Sequence, residues 1–148
     1  MEIGTTQLDG LRAFCVRHVG PYPMISEAFE RLGQKAGPAG LFAMPSVPML
    51  AIYHDDENVV PMAELRSDAA VVVPLGVPLP RGLSELRIPS GQYASTTHAG
   101  PYATLGATWA RFRSEATTRC GFSLRSGPYL EIYQNTPADT PPDALRTE

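Results

Sequence analysis

Arg17-His18-Val19-Gly20-Pro21-Tyr22 returns 80 positions later as Thr97-His98-Ala99-Gly100-Pro101-Tyr102, and that offset constrains the whole chain. Without a gap it aligns Pro48-Met49-Leu50-Ala51-Ile52-Tyr53 with Pro128-Tyr129-Leu130-Glu131-Ile132-Tyr133, then Leu65-Arg66-Ser67-Asp68 with Leu145-Arg146-Thr147-Glu148. Residues 18–68 and 98–148 share 15 identities in 51 pairs, where unrelated sequence gives about three. The chain therefore reads as two copies of one supersecondary unit, residues 1–74 and 83–148, within a single domain of 148 residues. The proline-rich stretch 75–82 cannot continue a sheet ladder and reads as the connector.

Each copy has the same local grammar. Residues 11–18 and 91–98 are short, turn-bounded and rich in β-formers, so they are expected as strands, with Glu2–Leu8 and Leu83–Ile88 as their hairpin partners. Gly20-Pro21 and Gly100-Pro101 then open helices, because proline costs nothing at the first helical position. Tyr22, Ile25, Phe29 and Leu32 recur at helical spacing, and Tyr102, Leu105, Trp109 and Phe112 match them. Gly37-Pro38 should stop the first helix, and the second should fray near Thr117-Thr118. Strands are expected at Met49–His54, Tyr129–Gln134 and Leu65–Pro74. The expected fold is α+β: two pseudo-symmetric strand-helix-strand-strand modules share an antiparallel sheet, with both helices on one face and a groove between them. The second copy stops at the match to Asp68, so the repeat also predicts a further strand after Glu148.

Composition narrows the function classes. Twelve basic against fifteen acidic residues, with no basic arm, argues against direct binding to nucleic acid. No apolar run approaches the length of a membrane span, and no signal peptide is seen, so the expected compartment is the cytoplasm. Cys15 and Cys120 lie far apart without a ligand-type spacing and are expected to be reduced, buried or half-buried thiols. His54-Asp55-Asp56-Glu57 offers metal-ligand types, but consecutive strand residues point apart, so no metal site and no cofactor are expected. Motifs for nucleotide phosphates, zinc proteases and serine hydrolases are absent from the sequence.

Duplicated halves fix a scaffold, so chemistry is sought where they diverge. Ala51 in the first copy is Glu131 in the second, within an otherwise matching Leu-x-Ile-Tyr strand. Alternation places Tyr129, Glu131 and Tyr133 on one face of that strand. A carboxylate so placed is wet, paired, protonated or waiting for a ligand. Trp109, the sole tryptophan, replaces Phe29, and serves either as a core aromatic or as a wall against an aromatic ligand. Tyr22 and Tyr102 either cap such a site or staple each helix to the sheet. His18 and His98, at matching strand ends, read as structural residues.

Together, His18-Val19-Gly20-Pro21-Tyr22 with Ile25 through Leu32, Ala51-Ile52-Tyr53-His54-Asp55-Asp56, Gly91-Gln92-Tyr93-Ala94, His98-Ala99-Gly100-Pro101-Tyr102, Trp109 and Tyr129-Leu130-Glu131-Ile132-Tyr133-Gln134-Asn135 resemble the GyrI-like small-molecule-binding domain, the effector-binding domain of AraC- and MerR-type multidrug regulators. The resemblance implies a concave groove for hydrophobic or cationic aromatic compounds, with Glu131 at the acidic ligand-contact position. Three functions follow as expectations. The first is a stand-alone binding domain in which Tyr22, Phe29, Tyr53, Tyr102, Trp109, Tyr129 and Tyr133 supply stacking surface and Glu131 the charge complement. The second is a hydrolase that opens strained cyclopropane-bearing alkylators, with Glu131 and Tyr133 as acid–base groups. The third is a gyrase-inhibitor-like interaction protein.

Overall fold

From Ala13 to Val16 and from Ser67 to Val71 successive residues are all buried, so these segments have core on both faces and must lie inside a sheet rather than at its rim. The computed structural model describes residues 1–44, 48–121, 123 and 127–148. In chain order it contains β1 (Gly4–Leu8), β2 (Leu11–Val19), α1 (Ser26–Ala36), β3 (Met49–Tyr53), β4 (Arg66–Val72), β5 (Ser84–Ile88), β6 (Gly91–Ser95), β7 (His98–Ala99), α2 (Leu105–Thr118), β8 (Tyr129–Tyr133) and β9 (Arg146–Thr147). Short 3-10 turns, Tyr22–Met24 and Tyr102–Thr104, lead into the two helices. The fold is α+β with antiparallel strands, as the sequence indicates.

The chain divides into two compact units. One comprises Gly10–Pro89 with Ser126–Glu131. Its strands run in the order β5-β2-β4-β3, with Ala69 facing Val16 on one side and Ala51 on the other. Helix α1 packs on β2 and β4 and buries Ala28, Leu32 and Ala36, at i, i+4 and i+8. Leu32 is fully buried, a burial that stabilises by roughly 2 kcal/mol. Phe14, Leu50, Ile52, Leu65, Val71 and Ile88 complete this core.

The other unit comprises Met1–Asp9, Ser90–Arg125 and Ile132–Glu148. It holds the β1–β6 ribbon, the short ladder joining β7 to β9, and α2. Ala116 is the one buried residue of α2, and Leu105, Trp109 and Phe112 remain half-buried. Leu145 supplies buried apolar surface near the chain's end.

Two strand expectations are corrected. The hairpin partners are exchanged: β1 pairs with β6, and β5 pairs with β2, where Leu86 faces Ala13 and Ile88 faces Leu11. Burial explains the choice, because polar β1 cannot match a strand that is buried on both faces, whereas β5 brings Leu86 and buried Ile88. The expected strand 91–98 is also broken, β6 ending at Ser95 and β7 starting at His98.

The repeat persists in the register. His18 and Ser67 are partners across β2 and β4, and Tyr53 faces Ser67. Eighty positions on, His98 faces Thr147 and Tyr133 faces Thr147. The Ser67 and Thr147 hydroxyls, at matching positions, are buried without a hydrogen-bond partner.

Candidate functional site

Glu131 lies near the middle of β8 and is only 6% exposed. The Tyr53 hydroxyl, from β3, donates to its Oε2 at 3.0 Å. The Tyr22 ring packs on Tyr53 at 4.7 Å between centroids, tilted by 54°. Tyr22 is fixed in turn, its hydroxyl donating to the Asp55 carbonyl at 2.7 Å and accepting the Asp55 N–H at 3.0 Å. Burial pushes the Tyr22 phenol above its ordinary pKa, so at neutral pH it remains a donor. A chain of contacts thus runs Asp55–Tyr22–Tyr53–Glu131 within one unit.

Phe29 on α1 and Tyr129 on β8 belong to the same unit and are half-buried. Tyr102, Trp109 and Tyr133 belong to the other unit. There Tyr102 repeats the packing of Tyr22, its ring 5.4 Å from that of Tyr133 and tilted by 55°, while Trp109 meets Phe112 edge-on at 5.8 Å. Alternation along β8 singles out Tyr129 and Tyr133 as neighbours of Glu131, and the structure adds the phenol of Tyr53, 78 positions away in sequence, as a donor to the carboxylate.

Both strand-end histidines fasten the turn into the helix. His18 Nε2 meets the Pro21 carbonyl at 3.0 Å and His98 Nε2 meets the Pro101 carbonyl at 3.1 Å. A carbonyl only accepts, so Nε2 carries the proton in both. Gly20 sits at φ +133°, where a side chain would be strained, and its N–H closes the turn onto the Leu65 carbonyl at 2.8 Å.

Strand alternation places Ile52, Asp68 and Arg17 on the face of the sheet opposite Tyr53, Ser67 and His18. Asp68, 1% exposed, takes Arg17 Nε on Oδ1 at 3.0 Å and Arg17 Nη2 and His54 Nε2 on Oδ2 at 3.2 and 2.6 Å. Burial alone would raise the carboxyl pKa, but the hydrogen bonds from His54 and Arg17 outweigh it and hold it below its ordinary value. Sequence reading missed this cluster, although Asp68 stands at the head of the apolar run Ala69-Ala70-Val71-Val72-Val73, where a lone charge is a signal of pairing. Beside it burial, then the Asp68 charge, push the Cys15 thiol up to about 12, so it is not a nucleophile at neutral pH. Cys120 departs from expectation: it is exposed, two residues beyond the end of α2. Ile52, His54, Arg66, Ile88 and Pro128 line a cleft of about 320 Å³ on this side.

The run His54-Asp55-Asp56-Glu57 is divided among partners, His54 to Asp68 and Asp55 to Arg66. Among the described residues no group of three or more His, Cys, Asp and Glu could hold a metal ion. The Arg66 guanidinium, through hydrogen bonds at 2.8 and 3.0 Å, holds the Asp55 carboxyl down at about 2. A folded-state value below the unfolded one stabilises above the unfolded pKa and loses that effect as pH falls through the folded value. Asp55→Asn should therefore lower the melting temperature at pH 7, and the gap to wild type should close between pH 3.8 and about pH 2. Thermal melts across that range measure it, and a gap independent of pH would remove the ion pair as its cause.

No helix among the described residues is long and apolar enough to cross a membrane. A model of the family described as GyrI-like small molecule binding domain matches residues 1–148. The DNA gyrase inhibitor of Escherichia fergusonii is 30% identical over 92 residues, 60% of this chain and 59% of that protein, so the match spans less than two thirds of that relative's length. The DNA gyrase inhibitor of Erwinia billingiae is 26% identical over 121 residues, 79% of this chain and 76% of that one. Among solved structures, the EcmrR C-terminal domain superposes with a TM-score of 0.75 at 16% identity, covering 99% of this chain and 92% of its own. SAV2435 bound to tetraphenylphosphonium gives 0.66 at 14% identity, covering 99% and 90%. At these identities the structural likeness is one of fold.

Proposed function

We propose, because this chain belongs to the GyrI-like small-molecule binding domain family, that its ligand is a hydrophobic aromatic cation and that Glu131 is the charge complement. The observation that carries the reading is a carboxylate only 6% exposed, oriented by the Tyr53 hydroxyl, beside the Tyr22–Tyr53 ring pair. A phenol that donates a hydrogen bond to a carboxylate does not cancel the carboxylate's charge, so Glu131 held by Tyr53 can still balance a cation. Aromatic faces attract a cation and cover the flat parts of its body, which water solvates poorly. The related fold of SAV2435 holds tetraphenylphosphonium, a ligand of that chemistry, which supports the choice of class.

Tetraphenylphosphonium and tetraphenylborate share shape and differ in the sign of charge, so they separate charge recognition from apolar burial. Calorimetric titration should show saturable binding of the cation, undisturbed by an excess of the borate. Equal competition by the borate would leave apolar burial as the whole of recognition. The Tyr53–Glu131 pair also places a proton donor beside an acceptor, which ring-opening hydrolysis would use. Repeated turnover of a strained cyclopropane, lost in Glu131→Gln, is the result that would replace sequestration with catalysis.

A further inference from the structure

We propose that the cleft lined by Ile52, His54, Arg66, Leu86, Ile88 and Pro128 binds a small carboxylate with an apolar body, at a site separate from Glu131. All six residues belong to one compact unit. Strand alternation agrees with their meeting: Ile52 is the partner of Asp68, and Leu86 and Ile88 are the partners of Ala13 and Leu11, all on the face that carries Arg17. That face is opposite the one bearing Tyr53, whose hydroxyl holds Glu131. Ile52 and Ile88 are buried and give the cleft an apolar wall. Its volume of about 320 Å³ is at the small end of ligand pockets, which run from about 300 to 1,000 Å³.

Two neighbouring polar groups of the cleft have hydrogen-bonding capacity to spare. The His54 N–H donates to the Arg66 carbonyl at 3.1 Å, so the two residues lie side by side. His54 Nε2 meets the Asp68 carboxylate at 2.6 Å, and a carboxylate only accepts, so Nε2 carries the proton and the ring is fixed. Nδ1 is then the open nitrogen, with no hydrogen bond among the described residues. Arg66 gives Nε and Nη2 to Asp55 at 3.0 and 2.8 Å, and its Nη1 is open in the same sense. A ligand carboxyl group placed against both finds a guanidinium donor at Nη1 and, at Nδ1, a partner with which it shares one proton.

Charge selects an anion. No carboxylate is among the described residues that line the cleft. The acids nearby are each held by an arginine, Asp55 by Arg66, Asp68 by Arg17 and Glu85 by Arg12. Asp56 accepts the Asn58 N–H at 2.9 Å, and neither it nor Glu57 lines the cleft. Arg87 approaches Glu85 only to 3.8 Å; alternation turns its side chain to the other face of β5, so it adds positive charge rather than a contact. The second copy shows that folding does not require this set. Gln134 and Asn135 stand where His54 and Asp55 do, and they make the same bonds to the Arg146 main chain, at 3.1 and 2.8 Å, that His54 and Asp55 make to Arg66. There the guanidinium bonds the carbonyls of Asp143 and Leu145, whereas Asp55 draws that of Arg66 to itself. One guanidinium and one imidazole beside an apolar wall suit a monoanion on an apolar body better than a phosphate.

The probe is 2-naphthoate, with 2-naphthylmethanol as its uncharged counterpart. Calorimetric titration of the full chain should show saturable binding of the acid, about tenfold or more tighter than that of the alcohol and undisturbed by tetraphenylphosphonium. The chain has three histidines, so imidazole nitrogen-15 spectra of the wild type locate the ligand without any substitution. Naphthoate should move the Nδ1 signal of His54 and leave those of His18 and His98 in place. His54→Gln, which installs the residue of the second copy, should weaken binding about fivefold or more, and Asp55→Asn with Arg66→Gln, which removes an ion pair without leaving a lone charge, about tenfold. No binding, equal binding of the alcohol, a shift at His18 or His98 instead of His54, or full affinity in both variants would each overturn the proposal. Displacement by tetraphenylphosphonium would overturn it by assigning the acid to the aromatic site, and displacement by an equal concentration of inorganic phosphate by making the cleft a general anion site.

Discussion

Glu131→Gln should weaken binding of tetraphenylphosphonium by about 30-fold. Two unit charges about 4 Å apart at an effective dielectric of about 20 attract by about 4 kcal/mol, and stripping water from both offsets about half of that. The remaining ~2 kcal/mol is about 30-fold in affinity. Glutamine keeps the shape of the side chain, and its amide oxygen can still accept the Tyr53 hydroxyl, so the fold should persist with a melting temperature near that of wild type. Calorimetry on both proteins provides the comparison. Unchanged affinity would mean that the carboxylate is not the recognition element, whatever the aromatic side chains do.

The largest loss of stability is expected elsewhere, at Asp68. Asp68→Ala removes the acceptor shared by Arg17 and His54 and should cost about 3 kcal/mol, the low end for breaking a buried pair. The low end applies because Arg17 is 47% exposed and can turn to water, while Asp68 itself is 1% exposed. For a chain of this length that is a fall in melting temperature of about 10 °C. Arg17→Ala should cost much less, since Asp68 retains His54. Urea titration of both variants at pH 7 separates them. Similar small losses would show that the cluster is solvated and that burial of Asp68 carries no penalty when its partners are lost.

What the sequence discloses depends on how far apart the interacting residues lie. Helix α1 is legible because its stripe is local, and Glu131 because the repeat supplies Ala51 as a reference at the same strand position. The Tyr53–Glu131 bond and the Asp68 cluster are not legible, since each depends on which strands become neighbours, and no local period encodes that choice. The hairpins fail for a related reason. The turn signals at Gly10 and Pro89-Ser90-Gly91 are satisfied equally by pairing within a copy and by pairing across copies, and the burial on both faces of β2 decides between them.

The exchange of first strands also bears on how such a chain can come to exist. Strand β1 of the first copy pairs with β6 of the second, and β5 of the second with β2 of the first. A chain of half the length would leave its first strand without a ladder of its own, and two such chains could make both ladders only by trading strands as a symmetric dimer. In a homodimer any residue of a repeated strand is written twice, so a carboxylate at this strand position would come in pairs. Joining the protomers in one polypeptide breaks that rule, and lets the second copy carry a single charge, Glu131, at the position where the first carries Ala51.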